Sequence, residues 1–277
     1  MIFLTIILIS LVIGFLSAFV GSLVGLGGGI IFVPAMLLLY QYTDTFTWAD
    51  PQTIVGISLI TMVFTGLSST IAYLKLKRID IKTGLLFLTG SLPGSIIGAW
   101  INSTFNADRF SLYFGILMLI ILGMLLIDRE KLVKNKPLKV TKNTRTFQIG
   151  QETFQYNVTK FPAFILSLIV GILSGLFGIG GGTISVPALI LFFGIPVQIA
   201  IATSMFMILF ISIISTTTHI VLGHIVWGYV LFFIIGSYIG GTVGARTNKH
   251  LKGKTLEWIL RIVIAATGIH LIIEGIL

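Results

Sequence analysis

Two glycine-rich stretches are the part of this sequence best suited to binding chemistry. Residues 25–35 read GLGGGIIFVPA, and residues 178–188 read GIGGGTISVPA. Each glycine costs about 1 kcal/mol in a helix interior, so three in a row predict that one helix ends and another begins. The free N–H groups and the dipole at the start of the second helix form an anion site. We therefore expect two such sites to converge on one small anion.

Polar side chains that follow these stretches extend the predicted site. In each half, one glutamine begins the next apolar segment, where its side-chain amide can donate a hydrogen bond to an anion. Serine and threonine hydroxyls follow within about two helical turns. The predicted substrate-binding residues are Gly27, Gly28, Gly29, Gly180, Gly181, Gly182, Gln52, Gln198, Ser58, Thr203 and Ser204. Alternative roles remain open: the glycines can serve close helix packing, the glutamines an interfacial helix start, and the hydroxyls bonds to their own helix backbone.

Three basic or titratable residues flank this predicted site. When the two halves are aligned, Arg78 of a basic turn matches His224, and His219 lies nearby in STTTHI. Arg78 and His224 can attract anions to the ends of the pathway, although an arginine in such a turn is also a common membrane anchor. His219 can titrate near neutral pH or remain neutral and packed.

Other classes of site lack the residues they need. The chain has no cysteine, and its four histidines show no metal-ligand spacing. No cluster of His, Asp and Glu lies within the apolar segments, so we predict no catalytic group, metal or cofactor. The net charge of +9 does not indicate nucleic-acid binding, because 16 of the 18 Lys and Arg lie in three short stretches at 75–82, 128–160 and 246–254.

The composition places these residues in a membrane. Hydrophobic residues make up 56% of the chain, charged residues only 10%, and the mean hydropathy is +1.06. The first apolar run lacks a charged start and continues into the glycine stretch, so we take it as mature protein and not a signal peptide. Long apolar runs fall at about 3–24, 53–74, 84–101, 110–127, 163–177, 199–221, 227–246 and 255–275, with shorter runs at 30–42 and 183–194.

The chain is an internal duplication. Residues 23–35 and 176–188 are identical at nine of 13 positions, and Ser58 then aligns with Ser204. We predict a first transmembrane repeat at 1–127, a basic cytoplasmic linker at 128–160 and a second repeat at 161–277. Because the basic loops occupy different places in the two halves, the positive-inside rule predicts that the halves face opposite ways.

These features predict an all-α polytopic membrane protein. Each half of the inverted repeat has about five helical segments, including glycine-broken helices, although hydropathy alone would give about eight helices. Two GxxxG ladders, at Gly90, Gly94 and Gly98 and at Gly236, Gly240 and Gly244, predict close packing between the halves, and they could also serve a homodimer. The linker can bind anionic membrane lipids or serve only as a solvated tether, and its alternating stretch TFQIGQETFQYNVT predicts a hairpin.

The twin motifs GLGGGIIFVPA and GIGGGTISVPA, followed by GISL and ATSM, resemble the TauE/SafE family of sulfite and organosulfonate exporters. The resemblance covers nearly the whole chain except the linker. It implies an inner-membrane secondary transporter that moves sulfite, sulfoacetate or related anions by alternating access. A sulfonate has three acceptor oxygens, which suits donors at two helix starts. An anion channel using the same helix dipoles is the alternative.

Overall fold

The computed structural model of the protein describes residues 2–104, 110–126, 144–149 and 152–276. Its helices are α1 (Ile2–Val24), α2 (Gly29–Tyr42), α3 (Pro51–Lys75), α4 (Ile81–Ser103), α5 (Phe110–Leu126), α6 (Lys160–Phe177), α7 (Gly182–Phe193), α8 (Val197–Val221), α9 (Trp227–Asn248) and α10 (Gly253–Ile276), with a short 3₁₀ helix at Asp44–Phe46. They follow the predicted apolar runs. The predicted lipid contact of the linker depends on its basic residues, most of which lie at 127–143, outside the described residues.

Two carboxylates fix where α3 and α4 begin. Asp50 accepts a hydrogen bond from the Thr53 N–H at 2.7 Å, and Pro51 occupies the first position of α3. Asp80 accepts from the Thr83 N–H at 3.0 Å at the start of α4. Each carboxylate satisfies a backbone donor that has no partner within the helix.

The linker contributes a two-stranded hairpin. Strands β1 (Thr144–Ile149) and β2 (Glu152–Asn157) pair antiparallel, with Thr144 opposite Asn157. The hairpin predicted from the alternating stretch is therefore confirmed. The fold is mostly helical as expected, but "all-α" is wrong in this respect, because alternating polar and apolar side chains suit a half-buried strand better than a helix.

The helices suit a lipid environment. Seven helices in the described part are long and apolar enough to cross a membrane, and α2, α5 and α7 are shorter. Hydropathy predicted about eight membrane-spanning helices. The additional predicted run corresponds to α5, which has 17 described residues and is counted among the shorter helices. Large apolar side chains face outward, with Leu8 63%, Ile120 58% and Ile262 62% exposed. Apolar surface of this extent indicates contact with lipid.

The two halves pack on each other through equivalent helices. Helix α1 packs against α9 just as α6 packs against α4, and α3 packs against α8 at the centre. The glycine ladders make these contacts possible: a Cβ at Gly98 would lie 2.0 Å from the Ile172 carbonyl oxygen, and one at Gly244 would lie 2.3 Å from that of Phe19. The predicted use of the ladders between the halves is confirmed.

The central helices α3 and α8 run antiparallel. Gly66 lies against Leu209, since a Cβ added to Gly66 would lie 2.9 Å from the Cα atom of Leu209. One turn later on α3, the Thr70 hydroxyl donates to the carbonyl of Met205, one turn earlier on α8, at 3.3 Å. Helices α3 and α8, which occupy equivalent places in the two halves, therefore pass each other in opposite directions.

Candidate functional site

The site is built around two short glycine segments. The first glycine segment (residues 25–28) lies between α1 and α2, and the second (residues 178–181) lies between α6 and α7. The glycines with positive φ are Gly25, Gly27 and Gly28 in the first segment and Gly178, Gly180 and Gly181 in the second. Side chains other than glycine rarely adopt this left-handed backbone, so these positions favour glycine.

The two segments meet at the centre of the protein. A Cβ at Gly29, the first residue of α2, would lie 2.3 Å from the carbonyl oxygen of Gly178. A Cβ at Gly182, the first residue of α7, would lie 2.4 Å from the carbonyl oxygen of Gly25. Each glycine segment therefore packs against the start of the short helix in the other half.

Helices α3 and α8 hold the two segments in place through equivalent residues. The Ser58 hydroxyl donates to the Gly178 carbonyl at 2.7 Å, and the Ser204 hydroxyl donates to the Gly25 carbonyl at 2.8 Å. Met62 fills the space between the segments, since a Cβ at Gly180 would lie 2.4 Å from its Sδ atom. Ser58 and Ser204, two of the three predicted hydroxyls, thus contact the glycine segments, and the segments are closed against each other in this conformation.

The starts of α2 and α7 carry no side-chain cap. The N-cap residues are Gly28 and Gly181, and neither helix has a side-chain cap hydrogen bond among the residues that the structure describes. The first turn of an α-helix leaves N–H groups without intrahelical partners, and these groups carry about half a positive charge. Two uncapped N-termini in the protein interior form an electropositive site without any charged side chain.

The carbonyls that end α1 and α6 are satisfied by side chains from other helices. Asn248 donates to the Leu23 carbonyl at 2.7 Å, and its equivalent Asn102 donates to the Leu176 carbonyl at 2.8 Å. Such bonds neutralise the negative ends of α1 and α6, which would otherwise repel an anion.

Two other equivalent side chains contact the carbonyls one residue before these, near the ends of α1 and α6. Tyr73 donates to the Ser22 carbonyl at 2.8 Å, and its equivalent His219 lies with Nε2 3.1 Å from the Gly175 carbonyl. Sequence reasoning did not assign Tyr73, Asn102 or Asn248 to the site. The alignment of the halves pairs Asn102 with Asn248 in the same way as Ser58 with Ser204, so the internal repeat could have identified the two asparagines.

The other predicted residues lie farther from the glycine segments. Gln52 and Gln198 are half-buried in the first turns of α3 and α8. The Thr203 hydroxyl accepts from the backbone N–H of Asp80 at 3.0 Å, so it fixes the loop between α3 and α4. Thr203 thereby connects this loop to Ser204, its neighbour in the chain.

Asp80 also anchors the linker hairpin. The Tyr156 hydroxyl donates to Asp80 Oδ2 at 2.7 Å, and Arg145 lies 3.5 Å from the same oxygen. Burial opposes the charged form of Asp80, but bonds from Thr83 and Tyr156 and the charge of Arg145 outweigh burial and hold the pKa of this carboxyl below its ordinary value. Burial, together with the bond to Asp80, raises the pKa of Tyr156, so its hydroxyl remains a donor.

The aligned positions Arg78 and His224 differ in their partners. Arg78 donates to Asn248 Oδ1 at 3.1 Å, whereas His224 lies with Nδ1 2.9 Å from Nδ1 of His219. Because a carbonyl only accepts, the contact with Gly175 puts a proton on His219 Nε2, and His224 is the donor between the rings. Burial lowers the pKa of His224, and the charge of Asp50 opposes this shift.

The fold and this buried, uncharged site define a polytopic helical membrane protein built from two similar halves. The model of the family "Sulfite exporter TauE/SafE" matches residues 10–271. The chain therefore belongs to the TauE/SafE sulfite exporter family. It is a multi-pass membrane transporter, and the expectation of a transporter in place of an enzyme is confirmed by the family and its relatives.

Relatives similar to this chain span bacteria and plants. The probable membrane transporter protein YunE of Bacillus subtilis is 43% identical, over 97% of this chain and 98% of that protein. The probable membrane transporter protein YdhB of the same organism is 26% identical, over 96% and 99%. Sulfite exporter TauE/SafE family protein 1 of Arabidopsis thaliana is 33% identical over 41% of this chain and 24% of its own length. No solved structure matches the chain.

Proposed function

We propose that the protein is a secondary transporter that exports small sulfur-containing anions, such as sulfite or organosulfonates, from the cytoplasm. The observation that carries this proposal is the meeting of two uncapped helix starts, at Gly29 and Gly182, in the protein interior. An oxyanion offers several acceptor oxygens to such N–H groups, and no charged side chain is needed. The family name supports sulfur oxyanions as the class of substrate.

The glycine segments act as helix breaks within the bilayer in this proposal. Helices α2 and α7 have 14 and 12 residues. At 1.5 Å per residue they span about 21 and 18 Å, less than the roughly 30 Å thickness of the hydrocarbon core. Irregular backbone at that depth is tolerated where protein or water covers it, as between α3 and α8 here.

The two halves form an inverted repeat in this proposal. Equivalent helices α3 and α8 run antiparallel, and α5 and α10 do so as well, since Gly115 lies against Ile272 and Gly268 against Met118. Antiparallel pairing of equivalent helices is the arrangement that a two-fold axis in the membrane plane produces. The swapped positions of the basic loops lead to the same orientation.

Transport proceeds by alternating access. The glycine segments contact each other directly, and Met62 and Ile208 fill the remaining space. An anion can enter only if the helix pairs of the two halves separate on one side at a time. The Ser58 and Ser204 hydroxyls each bond the glycine segment of the other half, so this movement must break or shift those bonds.

Flux into proteoliposomes tests the proposal. Purified protein would be reconstituted, and uptake of radiolabelled sulfite would be measured in competition with sulfoacetate, taurine, sulfate, acetate and an amino acid. The proposal predicts saturable uptake that sulfite and sulfoacetate inhibit and that the amino acid does not. Uptake equal to that of empty liposomes would overturn it, and single-channel currents would identify the anion channel instead.

A further inference from the structure

We propose that the oxyanion is held asymmetrically, at the start of α7, by Ser174 and Thr183 together with the first N–H groups of that helix. This inference rests on the proposed function and goes beyond it, because the two halves would no longer contribute equally. The first glycine segment then closes the site from the opposite side and is not a second binding element.

Unused donors surround the start of α7. Ser174, Thr183 and Ser185 are at most 1% exposed. Their hydroxyl oxygens have no hydrogen-bond partner among the residues the structure describes. Burying a hydroxyl without a partner costs on the order of 1–3 kcal/mol, so three such groups in one region indicate a ligand.

The position of Ser174 ties these donors to the helix start. The Cβ atom of Ser174 lies 3.7 Å from the place where a side chain at Gly181, the N-cap of α7, would begin. Thr183 is the second residue of α7, within the turn whose N–H groups lack intrahelical partners. The hydroxyls and N–H groups therefore belong to one site.

The aligned positions in the first half carry no hydroxyl. Alignment of the glycine segments pairs Ser174 with Gly21 and Thr183 with Ile30. A Cβ at Gly21 would lie only 2.1 Å from the backbone nitrogen of Gly28, the N-cap of α2. Backbone of α1 thus covers the start of α2, and an apolar side chain replaces the hydroxyl.

A polar face of α8 leads toward this site. Ile211 lies 3.5 Å from the position of a Cβ at Gly181, and Ser215 and His219 follow at one-turn intervals. Ser215 is buried, with no partner in the described part of the chain. His219, one turn farther, contacts the Gly175 carbonyl and His224. This row connects the loop between α8 and α9 with the start of α7.

On α3, the serine equivalent to Ser215 already has a hydrogen-bond partner within the protein. Ser69, which aligns with Ser215, donates to the Ser22 hydroxyl at 2.7 Å. Ser22 in turn donates to the Gly241 carbonyl at 2.8 Å. The second half has Gly175 in place of Ser22, which leaves Ser215 without this partner. Entry of an anion is therefore expected along α8 and not along α3.

The ligand that fits is a small oxyanion with at least two acceptor oxygens. One oxygen accepts from the N–H groups at the start of α7, and another accepts from the hydroxyls of Ser174 and Thr183. These groups supply hydrogen-bond donors and no cationic side chain, so they suit a compact sulfite or sulfonate group.

Sulfite binding to purified variants tests this assignment. Ser174→Ala and Thr183→Val remove one hydroxyl each with little change in volume, and each should weaken sulfite binding about tenfold or more. Thr183→Ser should restore binding, which a purely structural role of the methyl group would not allow. Ser10→Ala is the matched control, because Ser10 is also fully buried without a partner in the described chain, but on α1.

The outcomes separate this inference from the proposed function. Wild-type affinity in Ser174→Ala and Thr183→Val, with sulfite transport intact, would overturn the asymmetric site alone. Loss of affinity in Ser10→Ala as well would overturn it too, because the effect would then reflect general instability. Absence of sulfite binding and transport in the wild-type protein would overturn both.

Discussion

At the scale of single residues, the site depends on space that only glycine leaves. Gly29 and Gly182 begin α2 and α7, and a Cβ on either would lie within 2.5 Å of two atoms, one of them a carbonyl oxygen of the opposite segment. Neither residue has a positive φ, so alanine would test close packing without backbone strain. At Gly28 and Gly181, by contrast, a side chain would meet both close neighbours and a positive φ.

We predict that Gly29→Ala and Gly182→Ala destabilise the protein by about 1–3 kcal/mol each, because overpacking forces backbone apart. Thermal unfolding in detergent measures this effect. Gly123→Ala is the control, since nothing lies within 4 Å of its added methyl group. An unfolding temperature of Gly29→Ala equal to that of Gly123→Ala would contradict the close approach of the two segments.

At the scale of elements, the linker hairpin is coupled to the central helices through Asp80. Tyr156 and Arg145 of the hairpin contact its carboxylate, and its backbone N–H donates to Thr203 of α8. Thr203 precedes Ser204, which holds the first glycine segment. The hairpin is therefore connected to the first glycine segment by these hydrogen bonds and by the chain link between Thr203 and Ser204.

Docking of the hairpin should depend on pH through Asp80. Its pKa is depressed in the folded protein, so docking is at full strength above the ordinary pKa of about 4 and is lost as pH falls through the depressed value. Spin labels at Lys75→Cys and Thr153→Cys would report a constant distance from pH 8 to about pH 5 and release only below about pH 4. Tyr156→Phe should release the hairpin at higher pH. A distance that changes between pH 8 and about pH 6 would contradict this role.

At the scale of the whole molecule, much of the fold is readable from the sequence because the bilayer imposes simple rules. Apolar runs predicted the helices, and the ladders predicted which faces meet. The partners of Asn102, Tyr73 and Asp80 were not predicted, since each contacts a residue more than 50 positions away. Periodicity reports which face is buried, not which carbonyl a side chain meets there.

The proposed inverted repeat makes a prediction about topology. The loop after α3 and the equivalent loop after α8 should lie on opposite sides of the membrane. The chain has no cysteine, so single cysteines can be introduced into the native sequence. An impermeant maleimide should label only one of Lys77→Cys and Gly223→Cys in intact cells. Labelling of both from the same side would contradict the inverted arrangement.

Calorimetric titration of sulfite into purified protein tests whether the anion binds at the glycine segments. The variants to compare are Gly181→Leu and Gly223→Leu, because the two glycines have similar φ of +74° and +78°, and only Gly181 has neighbours within 4 Å of an added Cβ. The account predicts that wild type and Gly223→Leu bind sulfite with equal affinity and that Gly181→Leu, still folded, does not bind. Equal binding by all three would place the anion away from the glycine segments and contradict the account.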